Sequence, residues 1–186
     1  MIWDLPKQLQ VCGTAYDIRT DYRDILRILC AFDDPDLDEQ EKLLVCLMVL
    51  YEDFEDMPRD HYEEALKAAK DFIDHGADSG RSPARTMDWE QDANLIFPAV
   101  NAAAGEEIRG LPYLHWWTFL GYFMSIDRKS TYATVLGLRQ KKARGKKLEK
   151  WERDFWNANK GICKLQKKLS QDEIAERERL NKIING

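Results

Sequence analysis

The segment LPYLHWWTFLGYF, residues 111–123, is apolar on nearly every side when it is drawn as a helix. Such a helix needs neighbours all round, so it is predicted to be the central helix of a bundle or to be covered by a neighbouring subunit. His115 is then predicted to donate a hydrogen bond to a backbone carbonyl or to a carboxylate of another helix. The pattern leaves open whether Trp116 and Trp117 pack inside the subunit or against the next one.

Elsewhere the apolar residues recur mostly at intervals of three and four, which predicts further helices. These begin near residues 21, 38, 58, 88 and 128. Asp38 and Glu41 have capping-box spacing, and the apolar run that follows them predicts a mostly buried second helix. LQVCGTAYDI, residues 9–18, predicts a small hairpin that turns at Cys12 and Gly13. The fold class is therefore mainly α, a single helical-bundle domain of about six to eight helices with a small N-terminal β-hairpin.

The domain organisation follows from the same pattern, since 186 residues suffice for one compact domain and an extension. We expect residues 1–20 to form an N-terminal hairpin or arm and residues 21–170 to form the bundle. GADSGRSPAR predicts a flexible loop near residues 76–87. Residues 171–186 are expected to form a C-terminal helix or a frayed tail. Pro98 lies inside the fourth predicted helix and is expected to kink or break it.

Charge is distributed unevenly along the chain. Residues 1–100 carry 10 Lys and Arg against 23 Asp and Glu, a net charge of −13, whereas residues 101–186 carry 18 against 10, a net charge of +8. The acidic half of one molecule could attract the basic half of another, or the two halves could neutralise each other within one molecule.

A seam of apolar residues crosses the basic half and predicts one helix of about 20 residues. The seam consists of Trp151, Phe155, Ala158, Ile162, Leu165 and Leu169. Basic side chains flank it. We therefore propose a partner-binding surface that comprises Lys141, Lys142, Arg144, Lys146, Lys147, Trp151 and Phe155.

Residues with the spacing that catalysis or metal binding requires are missing from the sequence. The histidines His61, His75 and His115 have no second His or Cys at ligand spacing, and no nucleophile, phosphate-loop or dinucleotide motif occurs. The many carboxylates favour a solvated acidic face over an acid–base pair. We therefore expect no enzymatic activity, no metal and no cofactor.

The chain is also expected to stay in the compartment where it is made. Its longest uninterrupted apolar run, residues 43–51, is too short to cross a membrane, and the N-terminus lacks the pattern of a signal peptide. Four scattered cysteines with no CxxC motif favour free thiols in a reducing compartment, which is the cytoplasm.

Three features together resemble the bacteriophage Gp-fifteen family. They are DWEQDANLIFPAVNAAAG at 88–105, YLHWWTFLGYF at 113–123, and the downstream basic run that ends in aromatic helix residues. The N-terminal Leu-Pro, the hairpin and TDYRDILRI at 20–28 are similar to that family as well. The resemblance covers nearly the whole chain.

The resemblance implies a protein of the tail-morphogenesis modules of long-tailed phages and prophages of Gram-positive bacteria. It implies a tail assembly chaperone that coats the tape-measure protein in the cytoplasm of the bacterial host, either alone or together with a second chaperone. The family has no catalytic residues to assign to this chain. One alternative is a minor structural component of the tail. A second alternative, less favoured for a chain of net charge −5, is a nucleic-acid-binding accessory protein that uses residues 139–168.

Overall fold

The computed structural model describes residues 4–75 and 85–185. Within them, two antiparallel strands, β1 (Gln8–Val11) and β2 (Thr14–Asp17), precede nine α-helices. The helices are α1 (Tyr22–Phe32), α2 (Glu39–Leu50), α3 (Tyr62–Ile73), α4 (Ala93–Ala104), α5 (Trp116–Met124), α6 (Thr131–Ala143), α7 (Lys150–Ala158), α8 (Lys160–Cys163) and α9 (Gln171–Asn185). The predicted mainly α fold with an N-terminal hairpin is confirmed. Most of the predicted loop near 76–87, namely residues 76–84, lies outside the described residues.

The hairpin turns at the predicted dipeptide. Cys12 and Gly13 have φ values of 50° and 78°, the left-handed conformation at both central positions that two-residue hairpin turns favour. The hairpin packs against α3 and contributes Val11 and, just after β2, Ile18 to the core. It is therefore an integral part of the folded body.

Both ends of α2 are capped by side chains. The Asp38 side chain accepts hydrogen bonds from the backbone N–H groups of α2's first turn, and the Asp38 backbone N–H donates to Glu41, which confirms the predicted capping box. At the other end, the Arg19 guanidinium donates to the carbonyls of Met48, Val49 and Tyr51 at 2.9–3.1 Å. The last carbonyls of a helix have no helical N–H to pair with, and Arg19 supplies donors to them where α2 ends at Leu50.

The expected break at Pro98 does not occur, because α4 runs from Ala93 to Ala104 without interruption. A proline removes one helical hydrogen bond, and the exposed side of the helix accommodates its ring. The start of the helix was predicted five residues too early. The carboxylate of Asp88 accepts hydrogen bonds from the N–H groups of Glu90 and Gln91, and this local turn competes with the helix.

The predicted long helix over 151–169 is wrong, because the chain forms α7, α8 and then the non-helical segment 164–170. Asn159 leaves the helical region at φ −119° and ψ 37°. Gln91 then holds the extended segment through hydrogen bonds with the Lys164 carbonyl and the Gln166 N–H, at 2.7 and 2.8 Å. With this split, residues 4–75 and 85–185 contain nine α-helices, where about six to eight were expected.

The last helix, α9, follows a capping box formed by Ser170 and Glu173, and its residues 171–181 are all exposed.

The helix α5 lies in the core, as its apolar composition predicts, although it begins at Trp116 and leaves Tyr113 outside. Phe119 stacks between Tyr22 and Trp116, with ring centroids 4.8 and 5.6 Å away. The indole N–H groups of Trp116 and Trp117 donate to the carbonyls of Ile73 and Phe72 at 2.9 and 3.0 Å. Both tryptophans therefore pack inside the subunit, where they satisfy carbonyls at the C-terminal end of α3.

His115 caps α5. Its Nδ1 accepts from the N–H of Trp117 at 3.1 Å, so the proton is on Nε2, which donates to the Pro6 carbonyl at 3.0 Å. The predicted hydrogen bond to a backbone carbonyl is confirmed. Burial lowers the pKa of His115 and favours this neutral form.

Candidate protein-binding surfaces

An open apolar groove of 590 Å³ lies between α1, α2 and α3. Its apolar lining consists of Leu29 and Phe32 from α1, Leu43 and Cys46 from α2, and Leu66 and Ile73 from α3. We call this surface the apolar groove. Its polar rim is Lys67, Lys70 and Asp74, and Lys70 pairs with Asp74 at 3.1 Å.

Part of α2 stays uncovered because this helix has more apolar sides than the subunit has neighbours for it, and of its exposed apolar residues Leu43 lines the groove. Cys46, Leu47 and Leu50 face the core, whereas Leu43, Leu44 and Met48 remain exposed over 41%, 43% and 52% of their surface. The prediction that α2 is mostly buried is therefore wrong. A group of large apolar side chains left in water is typical of a protein-binding surface.

A second surface, here called the basic cleft, lies between the end of α6 and α7. It has a volume of 410 Å³ and is lined by Lys142, Lys146, Lys147, Leu148, Arg153, Trp156 and Asn157. The Lys142 ammonium lies 4.1 Å from the centre of the Trp156 ring, within the range of a cation–π interaction. Gly145, at φ 69°, turns the chain after α6 and brings Lys146 and Lys147 towards α7.

The basic cleft contains three of the seven residues predicted as partner-binding, namely Lys142, Lys146 and Lys147. The other four do not line it. Lys141 forms an ion pair with Glu152, and this hydrogen bond lowers the pKa of the carboxyl group. Arg144 is exposed beside the turn and Phe155 is half-buried.

Trp151 is the last of these four residues. It is 57% exposed and donates to Glu149 at 3.0 Å.

Sequence reasoning missed Arg153 and Trp156 as members of the cleft. Trp156 lies next to Phe155 and off the apolar seam, so seam spacing gave it no weight. The informative signal is its position in RDFW, three residues after Arg153, which places the two side chains on the same side of a helix.

Arg139 is not a surface cation, although it opens the basic stretch 139–168. Its guanidinium forms a two-pronged ion pair with Asp92, at 2.6 and 2.8 Å, and both side chains are buried. It also donates to the carbonyls of Thr86, Ile162 and Cys163. Arg139 therefore joins α4, α6 and α8, and it cannot contact a nucleic acid.

The histidines contact other side chains of the fold, and the cysteines are free thiols. His61 hydrogen-bonds the hydroxyl of Tyr16 at 2.9 Å, and His75 packs its ring on Trp117. No three His, Cys, Asp or Glu residues within 4–75 and 85–185 are grouped so that they could hold a metal ion. The cysteines are free; Cys46 and Cys163 are buried, Cys30 is half-buried and Cys12 is exposed.

None of the helices in the described part of the chain is long and apolar enough to cross a membrane.

The fold and these surfaces define a mainly α-helical protein with two candidate sites for protein partners. The family model described as Bacteriophage Gp15 protein matches residues 2–165. The chain therefore belongs to the bacteriophage Gp15 family, the family that its aromatic segments resemble. No curated protein and no solved structure matches it. The matched region includes the apolar groove and the basic cleft, and it ends before α9.

Proposed function

We propose that this phage protein is a non-enzymatic tail assembly chaperone that binds apolar helical segments of the tape-measure protein in the cytoplasm of the bacterial host. The observation that carries the proposal is the open apolar groove between α1, α2 and α3. A long helical client exposes apolar stripes until the tail tube surrounds it, and a groove of this kind can cover such a stripe.

The groove is suited to a helix that inserts side chains at intervals of three and four residues. Helix-in-groove recognition relies on a few such anchors in an apolar channel. Fully burying one Leu or Phe side chain contributes roughly 1.5–3 kcal/mol, so a few anchors can offset the cost of association. The charged rim, Lys67, Lys70 and Asp74, favours a client whose flanking residues carry both signs.

Co-expression with the tape-measure protein tests the proposal. We expect the client to remain soluble beside the wild-type chain and to precipitate beside Leu43→Lys, which places a charge in the groove. The matched control is Gln40→Lys, which adds the same charge to an exposed position of α2 and should keep the client soluble. A client that is insoluble beside abundant, folded wild-type protein contradicts the proposal.

Mass spectrometry of purified virions separates a chaperone from a minor structural component of the tail. A chaperone that leaves when the tube polymerises should be missing from mature particles. Recovery of the chain from virions at a fixed ratio to the tail proteins would favour the structural role.

A further inference from the structure

The basic cleft carries positive charge that the rest of the subunit does not neutralise. Within the described residues, none of Lys142, Lys146, Lys147 and Arg153 forms an ion pair with a carboxylate. Neighbouring cations differ, because Lys141 pairs with Glu152, and Lys168 reaches Glu90. Intramolecular neutralisation therefore accounts for part of the charge asymmetry and leaves this cleft available to an anionic partner.

The opposite charge is presented by residues 52–56, here called the acidic turn, which connects α2 to α3. Glu52, Asp53, Glu55 and Asp56 are exposed, and none of the four is ion-paired within the part of the chain that is described. Phe54, which packs on Tyr62 with centroids 5.4 Å apart, anchors the turn. The carboxylates are thus held outward on a fixed support.

The two surfaces belong to different groups of packed elements. The acidic turn adjoins the hairpin and α3, since the Glu52 N–H donates to the Asp17 carbonyl. The cleft belongs to α6 and α7, and α6 packs on α4 and α8. The helices α1, α4 and α5 connect the two groups, because α1 packs on α2 and α5, and α4 packs on α5 and α6. A surface on one group that complements a surface on the other produces head-to-tail contacts between copies.

We propose that the basic cleft binds the acidic turn of a second copy of this chain, so that copies associate head to tail. Lys146, Lys147 and Arg153 contact the carboxylates, while Lys142 stays over the Trp156 ring. Such an interface is electrostatic, so it is selective, forms quickly and weakens with salt. The inference goes beyond the proposed chaperone function and does not depend on a client.

A charge-swap experiment on the purified protein tests it by sedimentation velocity over a range of concentrations. One variant, Lys146→Glu with Lys147→Glu, reverses the cleft; the other, Asp53→Lys with Glu55→Lys, reverses the acidic turn. We expect the wild-type chain to associate at low salt and to dissociate at high salt. Each variant alone should associate at least about tenfold more weakly, since like charges then meet.

The mixture of the two variants is the decisive sample. In the mixture, the reversed cleft of the first variant faces the reversed turn of the second, and the native cleft of the second faces the native turn of the first. Both contacts then join opposite charges, so association should return. The matched control, Lys160→Glu with Lys164→Glu, makes the same charge change at exposed positions outside the cleft and should associate like wild type. Circular dichroism verifies that each variant is folded.

Three results would overturn the proposal. They are a wild-type chain that stays monomeric at low salt, a control variant that loses association as fully as the cleft variant, and a mixture that does not recover. If the chain does not self-associate but shifts an oligonucleotide in a gel, and the cleft variant loses this shift, the cleft would be assigned to nucleic acid instead.

Discussion

The helices α2 and α5 have similar apolar compositions and opposite surroundings. After the polar first turn of α2, both helices are apolar on nearly all sides, and sequence patterns predict burial for both. In α5, the aromatic rings stack on one another and both indole N–H groups bond to carbonyls of α3, so Trp116 and Phe119 are enclosed within the subunit. In α2, Leu43, Leu44 and Met48 remain in water. An all-round apolar helix therefore indicates that something covers it, and the neighbours decide whether that is the subunit or a partner.

The largest expected effect is on the α5 side of this comparison. Trp116→Ala should lower the free energy of unfolding by about 3–5 kcal/mol, because it removes a side chain that is 1% exposed and leaves the Ile73 carbonyl without its donor. Urea denaturation measures it. An unchanged midpoint would show that α5 is not enclosed.

Trp117→Phe sharpens the same comparison at a single hydrogen bond. Phenylalanine keeps one aromatic ring but lacks the five-membered ring of the indole, whose N–H donates to the Phe72 carbonyl, so the free energy of unfolding should fall by at least about 1–2 kcal/mol. The matched control is Trp151→Phe. The indole N–H of Trp151 donates to the exposed carboxylate of Glu149, so the loss of this hydrogen bond should change the free energy of unfolding little. Equal effects at the two positions would mean that the bond to α3 does not matter.

On the α2 side, a substitution should affect binding and leave the fold stable. Leu43→Lys should change the free energy of unfolding by about 1 kcal/mol or less, since much of the Leu43 side chain is already in water. The same urea titration measures this change. A loss as large as that of Trp116→Ala would place Leu43 in the core and remove the basis for the groove.

The smallest expected effect comes from protonation at the start of α5. The pKa of His115 is lower in the folded chain than in the unfolded one because the ring is buried, so the unfolded chain takes up more protons. The stability that neutral His115 provides is complete above the ordinary pKa, about 6.5, and is lost as the pH falls through the lower folded value. Urea unfolding from about pH 8 to about pH 5 should show wild type losing stability relative to His115→Gln. Parallel curves would contradict this.

Local patterns determined the parts of the fold that the sequence predicts well. Apolar spacing places most helices, the Asp38 capping box begins α2, and Cys12 and Gly13 supply the turn that the hairpin requires. The hydrogen bond from His115 to a backbone carbonyl followed from its apolar setting, whereas its role as the cap of α5 was not predicted. These features depend on residues that are close in sequence or on the composition of one helix.

The predictions are wrong where residues that are distant in sequence determine the local structure or the exposure of a side chain. Gln91 holds the segment after α8 in an extended form through two hydrogen bonds. Arg139 is buried in an ion pair with Asp92, although it belongs to a basic stretch that was predicted to lie on the surface. The exposure of Leu43 depends on which helices flank α2, and periodicity does not contain that information. The apolar groove and the basic cleft are both products of tertiary packing, so the sequence located only part of the second and none of the first.

Site-specific photo-crosslinking tests the central claim, that the apolar groove binds the tape-measure protein. A benzophenone amino acid replaces Leu43, which lines the groove, or Glu106, an exposed residue between α4 and α5, and each variant is co-expressed with the client. We predict a crosslink to the tape-measure protein from position 43 and none from position 106. Crosslinks of equal yield from both positions, or none from position 43 beside soluble client, would contradict the account.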